Sequence, residues 1–336
     1  MNHAIRFSET GDYRVLSYAS MELPHLSEYD VLIKHKAIGV NFIDTYHRSG
    51  LYPLSLPSGV GKEAAGVVAA VGEKVSRVQI GDRVAYVNAA LGAYADAHVV
   101  NEKALILLPE SICFETAAAM MLKGLTAAYL VLKTHPLTAS DTVLIHAAAG
   151  GVSSLLIPWA KSIGAKVIGT VGSEAKVAIA KGNGCDEVLL YRQVDVPAEV
   201  KRLTDGKGVD VVYDSVGKDT FDMSLDSLKP RGLMVSFGNA SGAVPDFPPL
   251  MLAKKGSLFI TRPALIDYVN DPEEQQELAD ALFAQVELKA IDVKVTRRLE
   301  LAQAGEAHRL LESGVTTGSM ILIPRRLSEN RGRSEG

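Results

Sequence analysis

Cysteine is almost missing from this chain: its 336 residues include two, Cys113 and Cys185, far apart in sequence. Two distant thiols cannot form a disulfide framework or a four-cysteine metal cluster, and such usage fits a reducing, cytoplasmic setting. An excess of charge of one sign is missing too. The 35 Lys and Arg against 39 Asp and Glu leave a net charge of −4, so no global field draws the chain to nucleic acid or to an anionic membrane. The start, Met1 to Gly11, has no basic stretch followed by an apolar one, and no signal peptide is expected. No run approaches the roughly 18 apolar residues that span a bilayer, so a soluble protein is expected. Internal repeats and low-complexity stretches are missing as well. Arg325 to Gly336 is polar and charged and reads as a disordered tail.

The most informative stretch is Val143 to Ser154, an apolar run leading into a Gly-rich turn and then an apolar helical pattern. Its pattern, Ala147-x-x-Gly150-x-x-Ser153, is a variant of the dinucleotide-binding turn. In that turn the unpaired N–H groups and the dipole of a helix N-terminus hold a pyrophosphate. Four further strand-like runs follow at βαβ spacing: Lys166 to Val171, Glu187 to Tyr191, Val209 to Asp214 and Gly232 to Gly238. Strands and helices alternating from Thr142 to about Thr261 imply a doubly wound, parallel sheet covered on both faces. Ser257 to Thr261 reads as an edge strand of that sheet. Pairing it across a two-fold axis would cover the edge, so a homodimer is expected.

Upstream the pattern differs. Short alternating runs, Asp30 to His35, Ala64 to Val71 and Asp82 to Val87, are separated by Gly- and Pro-containing turns and indicate a β-rich domain. Ser111 to Leu132 reads as helix. Beyond Arg262-Pro263, a helix opens at Asp271 with acidic residues in its first turn. Leu278, Leu282, Phe283 and Val286 form its apolar stripe. A helix around Ala304 to Ser313 and a strand at Ser319 to Ile323 close the pattern, and this last segment is expected to pack back onto the first domain. The division expected is a β-rich domain from residues 1–125 and 262–324, an inserted nucleotide-binding domain from 126–261, and the tail 325–336.

In the nucleotide-binding pattern the backbone of Gly150, Gly151 and Val152 is placed to hold the pyrophosphate. About twenty residues on, NAD-preferring folds put a carboxylate on the ribose 2′-OH; here the strand ends in Gly172-Ser173-Glu174-Ala175-Lys176. Gly172 repels nothing, while Ser173 and Lys176 can bond and neutralise a 2′-phosphate, which selects NADPH over NADH. Glu174 is expected to point into solvent. Tyr191, ending the next strand, can cover the adenine edge. Val216, Phe237, Gly238 and Asn239 follow later strand ends, and Arg262 lies just past the next one, within reach of the nicotinamide half.

The blocks Asn41-Phe-Ile-Asp-Thr-Tyr46, Gly50-Leu-Tyr52, Lys123-Gly-Leu-Thr126, Ala147 to Val152, Val212 to Gly217 and Ser236-Phe-Gly-Asn239 closely resemble the medium-chain dehydrogenase/reductase superfamily. Within it, they are most similar to the zinc-free quinone oxidoreductases related to ζ-crystallin, in their bacterial NADPH-dependent form. The resemblance runs from the first strand to about Pro324. It implies an α/β protein with a GroES-like catalytic domain and a Rossmann domain, NADPH as cofactor and a quinone as substrate. Where zinc-dependent relatives place Cys and His ligands, this chain has Asn41 and, in Gly61-Lys62-Glu63, Lys62, so no metal is expected. The resemblance further implies that Asn41, Tyr46 and Tyr52 position the quinone, that Asn41 and Tyr46 also contact the cofactor's nicotinamide, and that Thr126 lies near it. Asp44 is read as a helix cap rather than an acid. His35, His47, His98 and His146 take ordinary strand or surface roles.

Three departures stand out. Ser153 replaces a usual Gly, which should loosen helix packing. Pro158 deletes a helix hydrogen bond at a cost of about 3 kcal/mol. Gly314 stands where relatives often carry Arg. Two alternatives share the pattern: an enoyl or enone reductase of the same superfamily, and a non-catalytic NADPH-binding protein of structural or RNA-binding type.

Overall fold

The alternating runs of the first third build strands with one buried face. The computed structural model describes residues 2–314, 316 and 318–325, and the chain divides into two compact units. The first comprises Met1–Ala119 with Lys294–Gly336, the second Met120–Val293.

In the first unit β1 (Asn2–Phe7) lies between β2 (Ser17–Met21) and β4 (Ser58–Gly59). A seven-stranded sheet combines β3 (Asp30–Gly39), β5 (Ala64–Val71), β6 (Arg83–Tyr86), β7 (Ala97–Asn101) and β8 (Leu105–Leu107) with β15 (Val295–Glu300) and β16 (Ser319–Ile323). Val31, Ile33, His35 and Ala37 alternate into its interior, the period of two that a half-buried strand requires. Ile321 pairs with Gly39 and Leu322 with Ile38, so the last segment does return to the first domain. Helices α1 (Phe42–Ser49) and α10 (Ala304–Glu312) belong to this unit.

In the second unit β9 (Thr142–Ile145), β10 (Lys166–Val171), β11 (Glu187–Leu190), β12 (Val209–Asp214), β13 (Leu228–Ser236) and β14 (Phe259–Thr261) form one sheet. All pairings are parallel and the order is β11-β10-β9-β12-β13-β14. That is the doubly wound Rossmann order, with its switch point between β9 and β12. Val143, Leu144, Ile145, Val211, Val212 and Tyr213 are wholly buried, as strands covered on both faces must be. β13 begins at Leu228 rather than Gly232. Between the pairs Val209–Leu228 and Val211–Leu233 the register shifts, and residues 229–232, with Pro230 and Gly232, are taken up in that irregularity.

Residues 262–293 lie in the second unit, whereas the sequence pattern assigned them to the first. The stripe of α9 (Pro272–Glu287) explains this: Leu278, Leu282 and Phe283 are buried, and Leu282 fills the space that a Cβ on Gly124 would need. Tyr268 stacks on Tyr129 at 4.3 Å. Gly124 and Tyr129 lie on α2 (Phe114–Tyr129), whose turns run on through Leu130–Thr134. The 21-residue stretch Phe114–Thr134 is long and apolar enough to cross a membrane, which run lengths alone did not suggest, yet 72 % of its most apolar window is buried inside the fold. Arg325 donates its backbone N–H to Asp96 Oδ1 at 3.2 Å; the rest of the expected tail, 326–336, lies outside the described residues.

Candidate functional site

The candidate site residues fall into two groups of side chains, one in each unit. In the second unit the chain leaves β9 through buried His146 and reaches Ala147 at φ 51°, a left-handed conformation that a non-glycine residue adopts at a cost. Gly150 closes the turn by donating its N–H to Ala147 O at 2.8 Å. A Cβ on Gly150 would stand 3.0 Å from that same oxygen, and one on Gly151 would stand 3.1 Å from the Lys123 side chain. Val152 then leads into α3 (Ser153–Ile163), which no side chain caps; Ser154 N–H donates to Gly150 O at 2.9 Å and Leu155 N–H to Val152 O at 3.0 Å, so the turn winds directly into the helix. Ser153 is buried and aims Oγ at His146 O, 3.5 Å away, so it ties the helix to the strand end rather than leaving a gap. The helix runs unbroken through Pro158.

Beneath this turn lies a buried polar group with defined proton positions. Asp214 accepts from the N–H groups of Val216 (2.8 Å) and Gly217 (2.9 Å), from Thr220 Oγ1 and, at 2.7 Å, from Ser224 Oγ. Because Ser224 gives its proton to Asp214, its oxygen must accept from His146 Nε2 at 3.0 Å. His146 Nδ1 is then the acceptor for Thr170 Oγ1 at 2.8 Å. Burial lowers the His146 pKa, with Asp214 opposing, so a neutral imidazole holds β9, β10 and β12 together below the turn.

At the β10 tip Gly172 lies under Tyr191, where a Cβ would come within 3.2 Å of the ring. Ser173, Glu174 and Lys176 are all exposed. Arg192, which sequence reasoning passed over, donates Nε to Tyr191 Oη at 3.2 Å and lies over the same ring. Its only sequence signal was a cation following a strand-ending tyrosine. Val216 and Gly217 follow β12. Phe237, Gly238 and Asn239 follow β13, with Gly238 pressed on the Ser215 backbone so closely that a Cβ could not fit. Asn239 and Arg262 line a hollow of about 600 Å³ with Ser236, whose buried Oγ has no partner. Thr126 donates Oγ1 to Leu122 O at 2.8 Å, and one turn before it Lys123 covers the Gly151 turn. Lys123, which opens the block Lys123-Gly-Leu-Thr126 but was given no role there, thus belongs to this group.

In the first unit α1 starts at Asn41, and Asp44 three residues on accepts the Asn41 backbone N–H at 2.9 Å. Asp44 is therefore the cap it was expected to be. The Asn41 side chain is 3 % exposed and donates Nδ2 to Glu63 Oε2 at 2.6 Å, so its amide is oriented from below by a carboxylate. The Tyr46 and Tyr52 rings meet edge to face at 5.4 Å, and His47 meets Tyr52 at 5.8 Å. Burial, then Tyr52, raises the Tyr46 pKa. Burial, then the Lys62 charge, lowers that of His47. Burial also lowers the Lys62 pKa, with Asp44 opposing. Its Nζ donates to Ala89 O at 3.3 Å.

A directional chain supports α1 from behind. Arg48 can only donate, so His308 Nδ1, 3.3 Å from its Nη1, accepts; His308 Nε2 then donates to Tyr94 Oη at 3.2 Å, and Tyr94 donates to Asp44 Oδ2 at 2.9 Å. Arg48 also pairs with Glu312 through both amino groups. Burial and the Arg48 charge push the His308 pKa down to about 3. Gly314, two residues beyond Glu312, has φ 68°, a left-handed conformation that suits glycine better than a residue with a side chain.

The structure thus groups Asn41, Tyr46 and Tyr52 with His47, Lys62 and Glu63 in the first unit; in the second, Gly150 to Val152, Gly172, Ser173, Lys176, Tyr191, Val216, Phe237 to Asn239 and Arg262 follow the strand ends, while Thr126 lies on α2. Among the described residues no three His, Cys, Asp or Glu side chains converge as a metal site. Family models match on both sides: an alcohol dehydrogenase GroES-like domain over residues 27–138 and a zinc-binding dehydrogenase domain over 151–283. A quinone oxidoreductase of Pseudomonas aeruginosa is 48 % identical over 325 residues, 96 % of this chain and 100 % of that protein. A 2-haloacrylate reductase of Burkholderia is 42 % identical over 88 % of this chain and 90 % of its own length. The crystal structure of Escherichia coli quinone oxidoreductase complexed with NADPH superposes with a TM-score of 0.93 at 46 % identity, covering 96 % of this chain and 100 % of that one. The chain belongs to the medium-chain dehydrogenase/reductase superfamily and, within it, to the quinone oxidoreductase family.

Proposed function

We propose that this protein reduces quinones with NADPH by hydride transfer and without a metal. The observation that carries this is the sheet end itself: a tight Gly150-Gly151 turn between β9 and α3, and a β10 tip that presents Ser173 and Lys176 with no carboxylate at Gly172. The residues fit the dinucleotide. A side chain at Gly151 would crowd Lys123, and one at Gly172 would crowd Tyr191, so backbone amides and an aromatic face are left for the pyrophosphate and the adenine. Val216, Phe237, Gly238, Asn239, Thr126 and Arg262 would hold the nicotinamide half. Bound there, NADPH supplies a hydride. Tyr46 and Tyr52 offer a planar ring its flanking walls, and Glu63 fixes Asn41 to orient it.

A quinone is already electrophilic, so its reduction needs no ion to polarise an alcohol. Asn41 and Lys62 supply an amide and an ammonium where zinc-dependent relatives place ligands. Further readings of the same kind are a homodimer formed along β14, whose Phe259 is 60 % exposed at the sheet edge, and a cytoplasmic protein with no nucleic-acid partner. Sedimentation at micromolar concentration tests the first: a monomer would end it. The 2-haloacrylate reductase relative favours a second reading, reduction of an electron-poor alkene by the same hydride donor. Initial rates with 1,4-benzoquinone, 1,2-naphthoquinone, 9,10-phenanthrenequinone, an enone and an enoyl thioester separate the two. Quinones should give the highest kcat/KM; turnover of the alkenes alone would replace the first reading by the second.

A further inference from the structure

Lys62 is a half-buried ammonium that nothing so far employs. Its Nζ has one hydrogen bond, to Ala89 O, and makes no ion pair among the described residues. The buried carboxylates in its region are held by other donors: Asp44 by Asn41 N–H and Tyr94 O–H, Glu63 by Asn41 Nδ2. His47, the ring beside it, is kept neutral by burial and by the Lys62 charge itself. A partly desolvated cation without a paired anion is costly, and the cost is recovered when an anion arrives beside it.

We infer that Lys62 is a catalytic residue, whose ammonium receives the oxyanion created when the substrate is reduced and gives it a proton. The inference rests on the proposed hydride chemistry. The quinone gains one hydrogen and two electrons from the reduced nicotinamide, which is left oxidised, and becomes the hydroquinone monoanion. The Lys62 N–H bond then breaks as the second phenolic O–H forms, and the neutral amine takes its next proton from solvent. Around Lys62 stand His47 and Asp44 of α1, with Tyr52 against His47 and Tyr46 against Tyr52; the Ala89 loop offers a carbonyl. Among these Lys62 is the cationic donor, since burial holds the Tyr46 phenol above its ordinary range.

Lys62→Met and Lys62→Gln should lower kcat on the order of a hundredfold and abolish its alkaline limb, with NADPH affinity by fluorescence titration within about twofold of wild type. Lys62→Arg, which keeps the charge, should keep phenolate binding and move the limb to higher pH. A readout free of turnover uses 4-nitrophenol as hydroquinone mimic in the presence of NADP⁺. Wild type should bind it as the yellow phenolate below its solution pKa, and Lys62→Met should not. Equal phenolate preference in wild type and Lys62→Met, or turnover by Lys62→Met within about threefold of wild type with an unchanged alkaline limb, would overturn the inference. If the wild type reduces alkenes and no quinone, the substrate reading fails while the phenolate measurement still decides Lys62, because an enolate is an oxyanion too. A Lys62→Met protein that fails to bind NADPH is replaced by Lys62→Gln and Lys62→Arg in the same assays.

Discussion

On the function proposed above, cofactor choice turns on Lys176. It stands with Ser173 on the exposed tip of β10, where a 2′-phosphate gains charge-assisted hydrogen bonds that a 2′-OH cannot make. Lys176→Ala is expected to weaken NADPH roughly 30-fold and NADH hardly at all, and raised salt should narrow the gap because the site is open to solvent. Arg192, stacked on Tyr191, leaves a second cation nearby, so NADPH preference should shrink without vanishing; equal losses for both cofactors would refute the assignment. Tyr46 is different. On the proposed reading its hydroxyl only positions substrate, so Tyr46→Phe should lower kcat/KM by about 1 to 2 kcal/mol, one hydrogen bond. A fall of several orders of magnitude with NADPH binding intact would make Tyr46 an essential acid.

The element that matters most in the first unit is α1, an eight-residue helix too short to hold itself. Asp44 fixes its start, and the chain from Arg48 through His308 and Tyr94 returns to Asp44, tying α1 to α10. Tyr94→Phe removes the donor to Asp44 and strands the His308 Nε2–H, both buried. The expected loss is about 1 to 3 kcal/mol of stability, read as a lower urea midpoint with an unchanged m-value. A midpoint equal to wild type would show that the chain carries no load. The cap was legible in Asn41-Phe-Ile-Asp44, because a cap is local. Nothing in the sequence announced that His308, some 260 residues from Arg48, completes the chain, since a histidine's partner is decided by packing.

For the whole molecule the buried histidines set the response to acid. His35 donates Nδ1–H to Ala95 O at 2.7 Å and accepts from Tyr86 Oη at 2.9 Å, and His98 donates to the same hydroxyl at 3.0 Å. Burial lowers His35 to about 3 and His98 to about 4, and His308 lies at about 3. Their folded pKa values lie below the unfolded value near 6.5, so the unfolded chain binds protons that the fold refuses. Stability is therefore full above about pH 6.5 and falls as pH drops, each histidine adding a slope approaching 1.4 kcal/mol per unit, until the folded pKa values are reached. Urea midpoints should decline steeply between pH 6.5 and 4.5, and His308→Gln should flatten that decline; a wild-type midpoint independent of pH over this range would contradict the neutral assignments.

The sequence by itself determined the Rossmann sheet, because a continuous apolar strand, a Gly-rich turn and a helix at fixed spacing have few other solutions, and Lys166–Val171 and Val209–Asp214 coincide with the strands observed. It also determined the family, and it set out which side chains stand at the β10 tip, because these follow one another along the chain. Tertiary structure alone decided that residues 262–293 pack in the second unit, since an amphipathic stripe such as Leu278-Leu282 demands an apolar partner without naming it. It alone placed Lys123 over Gly151, His146 on Ser224, and Lys62, without an ion pair among the described residues, beside His47, whose pKa burial lowers. Those are contacts between segments distant in sequence or matters of burial, and periodicity and motif spacing carry neither.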